Sequence, residues 1–434
     1  MKILVTGANG FIGRHLANAL LEDGHQVLYG VRRQPLTLRP GCEYIEMDFT
    51  RDFAPEVWLE RLRDVDVVIN TVGIIRQHGN QTFDALHIRA PVALFTACKQ
   101  AGVKLVIQFS ALGADEGAKS RYHLSKKAAD DFLKKLDIHS VILQPSLVFG
   151  TEGASTRLFT QIASMPLILL PNAGRQMVQP VHISDIEALV QALVSDPLAG
   201  RVISSLVIPV VGPRPVSFAT YLSILRHGMG MHAKRIHALS NWLLGLATSL
   251  TSYLPQSPLD RESLDMLERG NAGDASIITG YLGREPKPPA DFLSEKDSEY
   301  LRTQALLGWL LPMLRFSIAF VWLFTGIVSL GIYPTEESYK LLNNVGITGA
   351  LAPLMLYGAA IFDICLGVAI LGMSRRRLLW LLQLGLIIFY TIVISWKMPE
   401  FWLHPYGPLL KNIPMIALIW ALMTLEQKHG IHSR

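Results

Sequence analysis

The first three hundred or so residues set short apolar runs between stretches of helical periodicity, and the remainder replaces this pattern with long apolar runs. Ile3, Leu4 and Val5 make a run short enough for one buried strand, and Phe11, Ile12, Leu16, Leu20 and Leu21 then recur at helical spacing. Further strands are predicted over 26–31, 43–48, 65–70 and 103–109, with helices over 55–62 and 82–101 between them. Strands alternating with helices of this length predict parallel βαβ units. The expected fold is therefore α/β, a doubly wound parallel sheet of Rossmann type with its ligand at the carboxyl ends of the strands. Another strand is expected between 202 and 215, followed by a helix over 218–226 in a small substrate subdomain. The stretch 239–254 is too short and too polar to span a bilayer. With Arg235, His237 and Trp242 nearby, it either lies in a membrane surface or over an apolar pocket, or forms an internal helix of the small subdomain.

From Leu306 onward, four apolar segments follow, at 312–330, 349–371, 378–396 and 412–425, the last short unless 409–426 is counted. They predict an all-α, four-helix transmembrane domain over 312–426, joined by a linker at 296–311 to a nucleotide-binding domain over 1–295. Arg315, the Arg375-Arg376-Arg377 cluster, Lys428 and Arg434 mark the cytoplasmic side, whereas Glu336, Glu337, Lys340, Lys397 and Glu400 face outward. Asp363 interrupts the second span, either as a quinone or proton site or as a structural hydrogen-bonding group. Gly7, Asn9 and Gly10 break the one apolar run an amino-terminal signal would use, so the first domain is expected in the cytoplasm with the C-terminus. A multi-pass protein of a bacterial-type inner membrane is the expected setting.

Candidate chemistry begins at the first turn. Gly7, Gly10 and Gly13 fall where a chain must turn tightly, admit a pyrophosphate to its backbone and pack a helix on its strand. Phe11 and Ile12 stand between them at the helix N-terminus, where unpaired amides receive an anion. The second strand ends at Arg32 and Arg33, where a cofactor without a 2'-phosphate usually meets an acid; the pair predicts NADP(H) in preference to NAD(H), although two arginines also simply solvate a loop. Asp48, at a strand end, is placed to receive an adenine amino group, and Gly73 to lie by the adenine ribose; each is equally an ordinary turn residue. Tyr122 and Lys126 share one helix face. Lys126 would then lower the phenol pKa and bind ribose hydroxyls while Tyr122 passes a proton to a carbonyl, with Ser110 hydrogen-bonding the carbonyl oxygen.

These motifs resemble the short-chain dehydrogenase/reductase superfamily, most closely its atypical branch containing the nucleotide-binding accessory subunit of respiratory complex I and relatives linked to quinone metabolism. The resemblance covers residues 1 to about 295 and rests on Gly7-x-x-Gly10-x-x-Gly13, Asp48, 70–73, Ser110, Tyr122-x-x-x-Lys126, 144–150 and 179–186. It implies that Pro145 to Val148 flank the nicotinamide and that the segment around His182 to Asp185 braces the substrate side. The loop from Ser110 to Tyr122 is shorter than in extended sugar-nucleotide epimerases. Residues 312–426 resemble the DoxX-like four-helix membrane family, which implies topology more than chemistry.

Composition narrows the classes. A net charge of +5 over 434 residues, without a basic aromatic groove, excludes nucleic acid as the expected partner. Cys42, Cys98 and Cys365 are scattered and lack metal-ligand spacing, which fits a reducing compartment and ordinary packing. Two functions follow. One is a membrane-anchored NADP(H)-dependent oxidoreductase of a lipophilic carbonyl or quinone-like compound, with Ser110, Tyr122 and Lys126 as its catalytic group. The other is a nucleotide-bound structural, assembly or redox-sensing protein of a membrane complex. Transport through the four helices is disfavoured by their one mid-span charge.

Overall fold

The computed structural model describes residues 1–33, 42–195, 205–239, 266, 269–374 and 376–429. The chain divides into two compact units, Met1–Ala305 and Leu306–Arg434. In the first unit, β1 (Lys2–Thr6), β2 (Gln26–Val31), β3 (Glu43–Glu46), β4 (Val67–Asn70), β5 (Leu105–Phe109), β6 (Ser140–Pro145) and β7 (Ser205–Val210) form one parallel sheet in the order β7-β6-β5-β4-β1-β2-β3. Side chains alternate across it. Ile3 and Val5 enter one core with Leu16 and Leu20 of α1 (Phe11–Glu22) and Ile186 and Leu189 of α6 (Ile183–Ser195), whereas Leu4 enters the opposite core. There it joins Trp58 of α2 (Pro55–Leu59), Leu94 and Phe95 of α3 (Ala90–Ala101), and Leu133 of α4 (Arg121–Lys135). A sheet covered on both faces needs strands that are apolar throughout, which is the composition of 3–5 and 67–69. The strand order reverses direction between β1 and β4, opening the crevice in which doubly wound sheets bind their ligands.

Two predicted elements differ for local reasons. The third strand stops at Glu46 because the Asp52 carboxylate accepts the Asp48 N–H at 2.7 Å and Asp48 accepts the Thr50 N–H at 2.9 Å, turning the chain. The helix expected over 82–101 opens with a π-helical turn, Asp84–Arg89. Pro91 has no N–H for the carbonyl four residues back, so the turn before it widens.

A smaller core lies beside the sheet and joins Phe149, Ile168 and Leu170 to Phe218, Tyr221 and Leu225 of α7 (Phe218–Gly228) and to Phe292. Its short strand pairs are Val148–Phe149 with Val181–His182, Ile168–Pro171 with Ile236–Leu239, and Met177–Val178 with Val216–Ser217. Leu239 therefore ends a strand, and residues 240–254 lie outside the described residues. The Gln179-to-Ile186 motif is a staple. Asp185, fully buried, accepts Arg284 Nη2 at 2.7 Å and the Lys287 N–H at 2.8 Å, tying the segment after α8 (Ser276–Leu282) to the start of α6.

The second unit is all-α. It follows on α9 (Glu295–Ile327), so the stretch 296–311 is helical, and continues through α10 (Thr335–Val345), α11 (Leu351–Gly372), α12 (Arg377–Lys397) and α13 (Asn412–His429). Three of these helical segments are long and apolar enough to cross a membrane: Glu295–Ile332, which runs α9 into the π-helical turn after it, α11 and α12. The apolar part of α13, Asn412–Glu426, is shorter. Phe316, Phe320, Ile361, Phe389, Ile392 and Trp420 turn outward, the inverse of a water-soluble bundle. Two sets of inner polar groups are paired: Trp322 Nε1 donates to Gln383 at 2.8 Å, and Glu426 accepts from Trp380 Nε1 at 3.0 Å and from Arg315. A Cβ on Gly326 would lie 2.7 Å from the Ala360 carbonyl, so α9 and α11 approach backbone to backbone there. Asp363 sits within α11, and its Oδ1 is shielded without a hydrogen-bond partner.

Replacing Asp185 with alanine removes the acceptor of two hydrogen bonds and strands a buried N–H. The expected loss is about 2–4 kcal/mol of stability, read as a lowered unfolding midpoint of the detergent-purified protein; an unchanged midpoint would mean the staple contributes nothing.

Candidate nucleotide site at the carboxyl edge of the sheet

The first βα turn is built by close approach. Gly7 takes φ +72°, in the left-handed region, and its N–H donates to the Gly30 carbonyl at 2.9 Å. A Cβ on Gly13 would fall 2.3 Å from the Gly7 carbonyl oxygen and 2.6 Å from Thr71 Oγ1, which itself donates to the Thr6 carbonyl at 2.7 Å. Helix α1 therefore starts hard against the ends of β1 and β4. Gly10 caps it in extended conformation and stays exposed. The amides of Phe11, Ile12 and Gly13 occupy the first turn, where N–H groups have no intrahelical carbonyl to bond. A Cβ on Gly10 would stand 3.0 Å from the Gly7 carbonyl, so the rim of this cradle is backbone. The Phe11 ring lies on Gly150, closing the far side. These residues fit a dinucleotide phosphate by an anion cradle that side chains would fill.

Behind the turn, a buried polar row crosses the sheet. Thr6 Oγ1 donates to Asn70 Oδ1 at 2.7 Å, and Asn70 Nδ2 donates to Gln108 Oε1 at 2.7 Å. The row turns the strand ends at a fixed level, and from it leave the loops that carry Gly73 and Ser110. Pro145 ends β6 half-buried, and its carbonyl accepts the Leu112 N–H at 3.1 Å.

Helix α4 starts at Ser120, whose hydroxyl accepts the His123 N–H at 3.1 Å, and it aims Lys126 inward. Lys126 is 4% exposed; its Nζ donates to the Phe109 carbonyl at 3.0 Å and reaches the Val72 carbonyl at 3.5 Å. A Cβ on Gly73 would stand 2.9 Å from that Nζ, so Gly73, Lys126 and the end of β5 meet at one point. Ser110 arrives there too, but its hydroxyl donates to Asp130 Oδ2. Tyr122 is half-buried beside His87 and Phe83, with ring centroids 5.6 and 6.1 Å away.

Burial, with the Asp130 charge adding, pushes the Tyr122 phenol up to about 12. Burial drives the Lys126 ammonium down, and Asp130 opposes that. Two groups outside the Tyr122-x-x-x-Lys126 motif, His87 and Asp130, complete the site. His87 Nε2 accepts the Ile74 N–H at 3.0 Å, so its proton is on Nδ1 and is given to Ser125 Oγ at 2.8 Å; Ser125 in turn donates to the Tyr122 carbonyl at 2.7 Å. Burial beside Lys126 lowers His87 to about 2. Asp130 had a signal available, since Tyr122, Lys126 and Asp130 recur every four residues on one face. A lone histidine in an apolar helical run carries none.

Asp48 is spent locally. Burial raises its carboxyl, but hydrogen bonds from the Thr50 N–H and hydroxyl, with Arg51 and Arg32 nearby, hold it below its ordinary value. Arg32 and Arg33 are exposed just past β2.

Residues 3–204 match the NAD dependent epimerase/dehydratase family, and residues 319–420 match the DoxX-like family. An epimerase-like NAD-binding Rossmann domain is thus fused to a DoxX-like membrane domain. Among curated proteins, a ceramide reductase of Caulobacter vibrioides is 29% identical over 46% of this chain and 63% of its own length. The mitochondrial NADH-ubiquinone oxidoreductase 40 kDa subunit of Neurospora crassa is 29% identical over 45% of this chain and 53% of its own. The match thus spans less than two thirds of either relative. Among solved structures, a UDP-glucuronic acid 4-epimerase from Bacillus cereus, in complex with UDP-glucuronic acid and NAD, superposes with TM-score 0.52 at 22% identity, over 70% of this chain and 99% of that one.

The expectation of NADP(H) from Arg32 and Arg33 is overturned. The matched family is NAD dependent, and the solved relative of the same fold holds NAD. The physical reason is at hand in the loop: Arg32 stands within electrostatic reach of the ionised Asp48, which offsets charge that a 2'-phosphate would require.

The buried neutral His87 makes stability depend on pH. Its folded pKa is depressed from 6.5 to about 2, so its contribution is present above about pH 6.5 and is lost as the pH falls. Unfolding free energy is expected to drop by about 1.4 kcal/mol per pH unit below that point from this group. Denaturant titrations at several pH values should show His87→Gln with a shallower acid slope than the parent; parallel slopes would contradict the assignment.

Proposed function

We propose that this protein is an NAD(H)-binding component of a membrane protein complex, in which bound nucleotide stabilises the Rossmann domain as a structural, assembly or redox-sensing element. The observation that carries the reading is the engagement of Ser110 and Lys126. The Ser110 hydroxyl donates a hydrogen bond to Asp130, and Lys126 is held on backbone carbonyls. The relatives that are subunits of NADH-ubiquinone oxidoreductase point the same way. In this proposal Gly7, Gly10, Phe11, Ile12 and Gly13 receive the pyrophosphate, Asp48 flanks the adenosine, and Lys126 and Pro145, with Gly73 against Lys126, hold the nicotinamide riboside end. NAD(H), when bound, supplies a hydride carrier. The chain's own residues exclude water around it and fix its ribose.

A second reading is favoured by the co-location of Ser110, Tyr122 and Lys126 at one sheet edge and by the ceramide reductase relative. It is a membrane-anchored reductase of a lipophilic carbonyl or quinone-like compound, with Tyr122 passing the proton, Lys126 orienting the ribose and Ser110 holding the carbonyl oxygen. In both readings residues 1–295 form the nucleotide domain, 296–311 the connection and 312–426 the membrane domain of an inner membrane of bacterial type, with the nucleotide domain inside.

Mass spectrometry of small molecules retained by detergent-purified protein is expected to show NAD(H), and Gly10→Val should remove it because the side chain occupies the phosphate's approach. Full retention by that variant would sink the nucleotide reading. Turnover of a lipid carbonyl or quinone by the parent but not by Tyr122→Phe, at equal NADH affinity, would replace the first reading with the second.

Orientation is tested by reporter fusions active in one compartment only. Fusions after Met373 and after Arg434 are expected inside and a fusion after Glu400 outside. An outside signal at Arg434 with an inside one at Met373 would mean that the short last helix does not cross.

A further inference from the structure

Asp130 is fully buried, and the chain has arranged a great deal around it. Its Oδ2 accepts the Ser110 hydroxyl, while its Oδ1 is buried with no hydrogen-bond partner among the described residues. A carboxylate so placed needs a cation, since an uncompensated buried charge costs several kcal/mol. The buried cation on the same helix face is Lys126, one turn back, which is held by neutral carbonyls and acts on Asp130 across space rather than as a direct ion pair. The other charged or titratable groups that act on the pair are Tyr122, Asp131 and Lys134 from α4 and the neutral His87 from the π-helical turn. Lys134 favours the ionised Asp130 and Asp131 disfavours it, so the two oppose each other; both face solvent in part, and Asp131 pairs with Lys127 at 2.5 Å and with Lys134 at 3.9 Å.

We propose that Asp130 is the positioning residue of this site, whose carboxylate keeps Lys126 an ammonium and turns the Ser110 hydroxyl, so that both act on a nucleotide or carbonyl only in the state Asp130 sets. The proposal deepens the nucleotide reading and rests on it for its consequence. With Asp130 ionised, Lys126 presents three N–H donors, two spent on Phe109 and Val72 and one left for a ribose hydroxyl. Without that charge, burial favours the neutral amine, which donates less strongly. Ser110 is committed as a donor to Asp130, so toward a ligand its oxygen accepts. The hydroxyl is free to donate to a carbonyl oxygen only once Asp130 takes up a proton. One carboxylate thus couples the charge of Lys126 to the hydrogen-bonding sense of Ser110.

The test reads Lys126 directly and needs no nucleotide. Acetic anhydride labelling of the full-length detergent-purified protein, followed on the Lys126 peptide by mass spectrometry across pH, gives the midpoint at which the amine becomes reactive. Asp130→Asn is expected to lower that midpoint by at least one pH unit, a tenfold rise in free amine at a fixed lower pH, and Asp130→Glu to restore most of it. A purely structural role would change melting without moving the midpoint, so coincident midpoints for parent and Asp130→Asn overturn the proposal. Should Asp130→Asn fail to fold, Lys126→Met tests the reciprocal coupling. Removing the cation should make Asp130 take up a proton near neutral pH, seen as a new protonated-carboxyl band in the infrared difference spectrum against the parent; no such band overturns the proposal equally. NADH fluorescence on the parent protein is measured alongside. Its failure would remove the nucleotide reading and leave the comparison of midpoints standing.

Discussion

The nucleotide domain depends on one close approach, the start of α1 pressed against the ends of β1 and β4. With 2.3 Å between the place of a Gly13 Cβ and the Gly7 carbonyl, no side chain larger than hydrogen fits without opening the turn. The same approach brings Thr71 onto Thr6 and sets the level of the Thr6-Asn70-Gln108 row. The loops after β1, β4 and β5, which carry the glycine turn, Gly73 and Ser110, depart from that row. The apolar sheet behind it, with Ile3, Leu4 and Val5 each buried, makes the level rigid, because a slip of one residue would exchange two cores at once.

Burial of charge is the second constraint. Lys126 and Asp130 lie together in a region where neither is stable alone, and the cost is offset by carbonyl and hydroxyl hydrogen bonds around them. His87 solves the same problem by staying neutral between a backbone N–H and Ser125. These choices make the site dry and pre-arranged, with its protons committed. Such an arrangement suits retention of a dinucleotide. It also means that chemistry at Tyr122 would require the network to change its proton distribution first.

The membrane unit follows the opposite rule on its outside and the same rule within. Many of its apolar side chains turn outward, and two sets of inner polar groups find one another, Trp322 with Gln383 and Glu426 with Trp380 and Arg315. In hydrocarbon an unpaired polar group has no water to turn to, so these pairs specify which helix faces meet.

The fold class, both halves of the chain, and most strands and helices were legible in the sequence, because they depend on local periodicity and on where glycine and proline stand. The β2 boundaries at Gln26 and Val31 and the α11 and α12 runs are of this kind, each set by the length of one apolar pattern. The place of Ser110 at the carboxyl edge of the sheet was legible as well, since ligands of parallel sheets sit at the carboxyl ends of the strands, whereas Gly73, expected by the adenine ribose, lies against Lys126. What the sequence could not express was which partner each polar atom takes. Arg32 read as a phosphate ligand until the fold set it within reach of the Asp48 charge, and Asp185 read as a substrate-side residue until Arg284 and Lys287 came to it across about a hundred residues. Pairings of that sort join elements distant in the chain, and their energies depend on burial and distance; only the tertiary structure sets those two quantities.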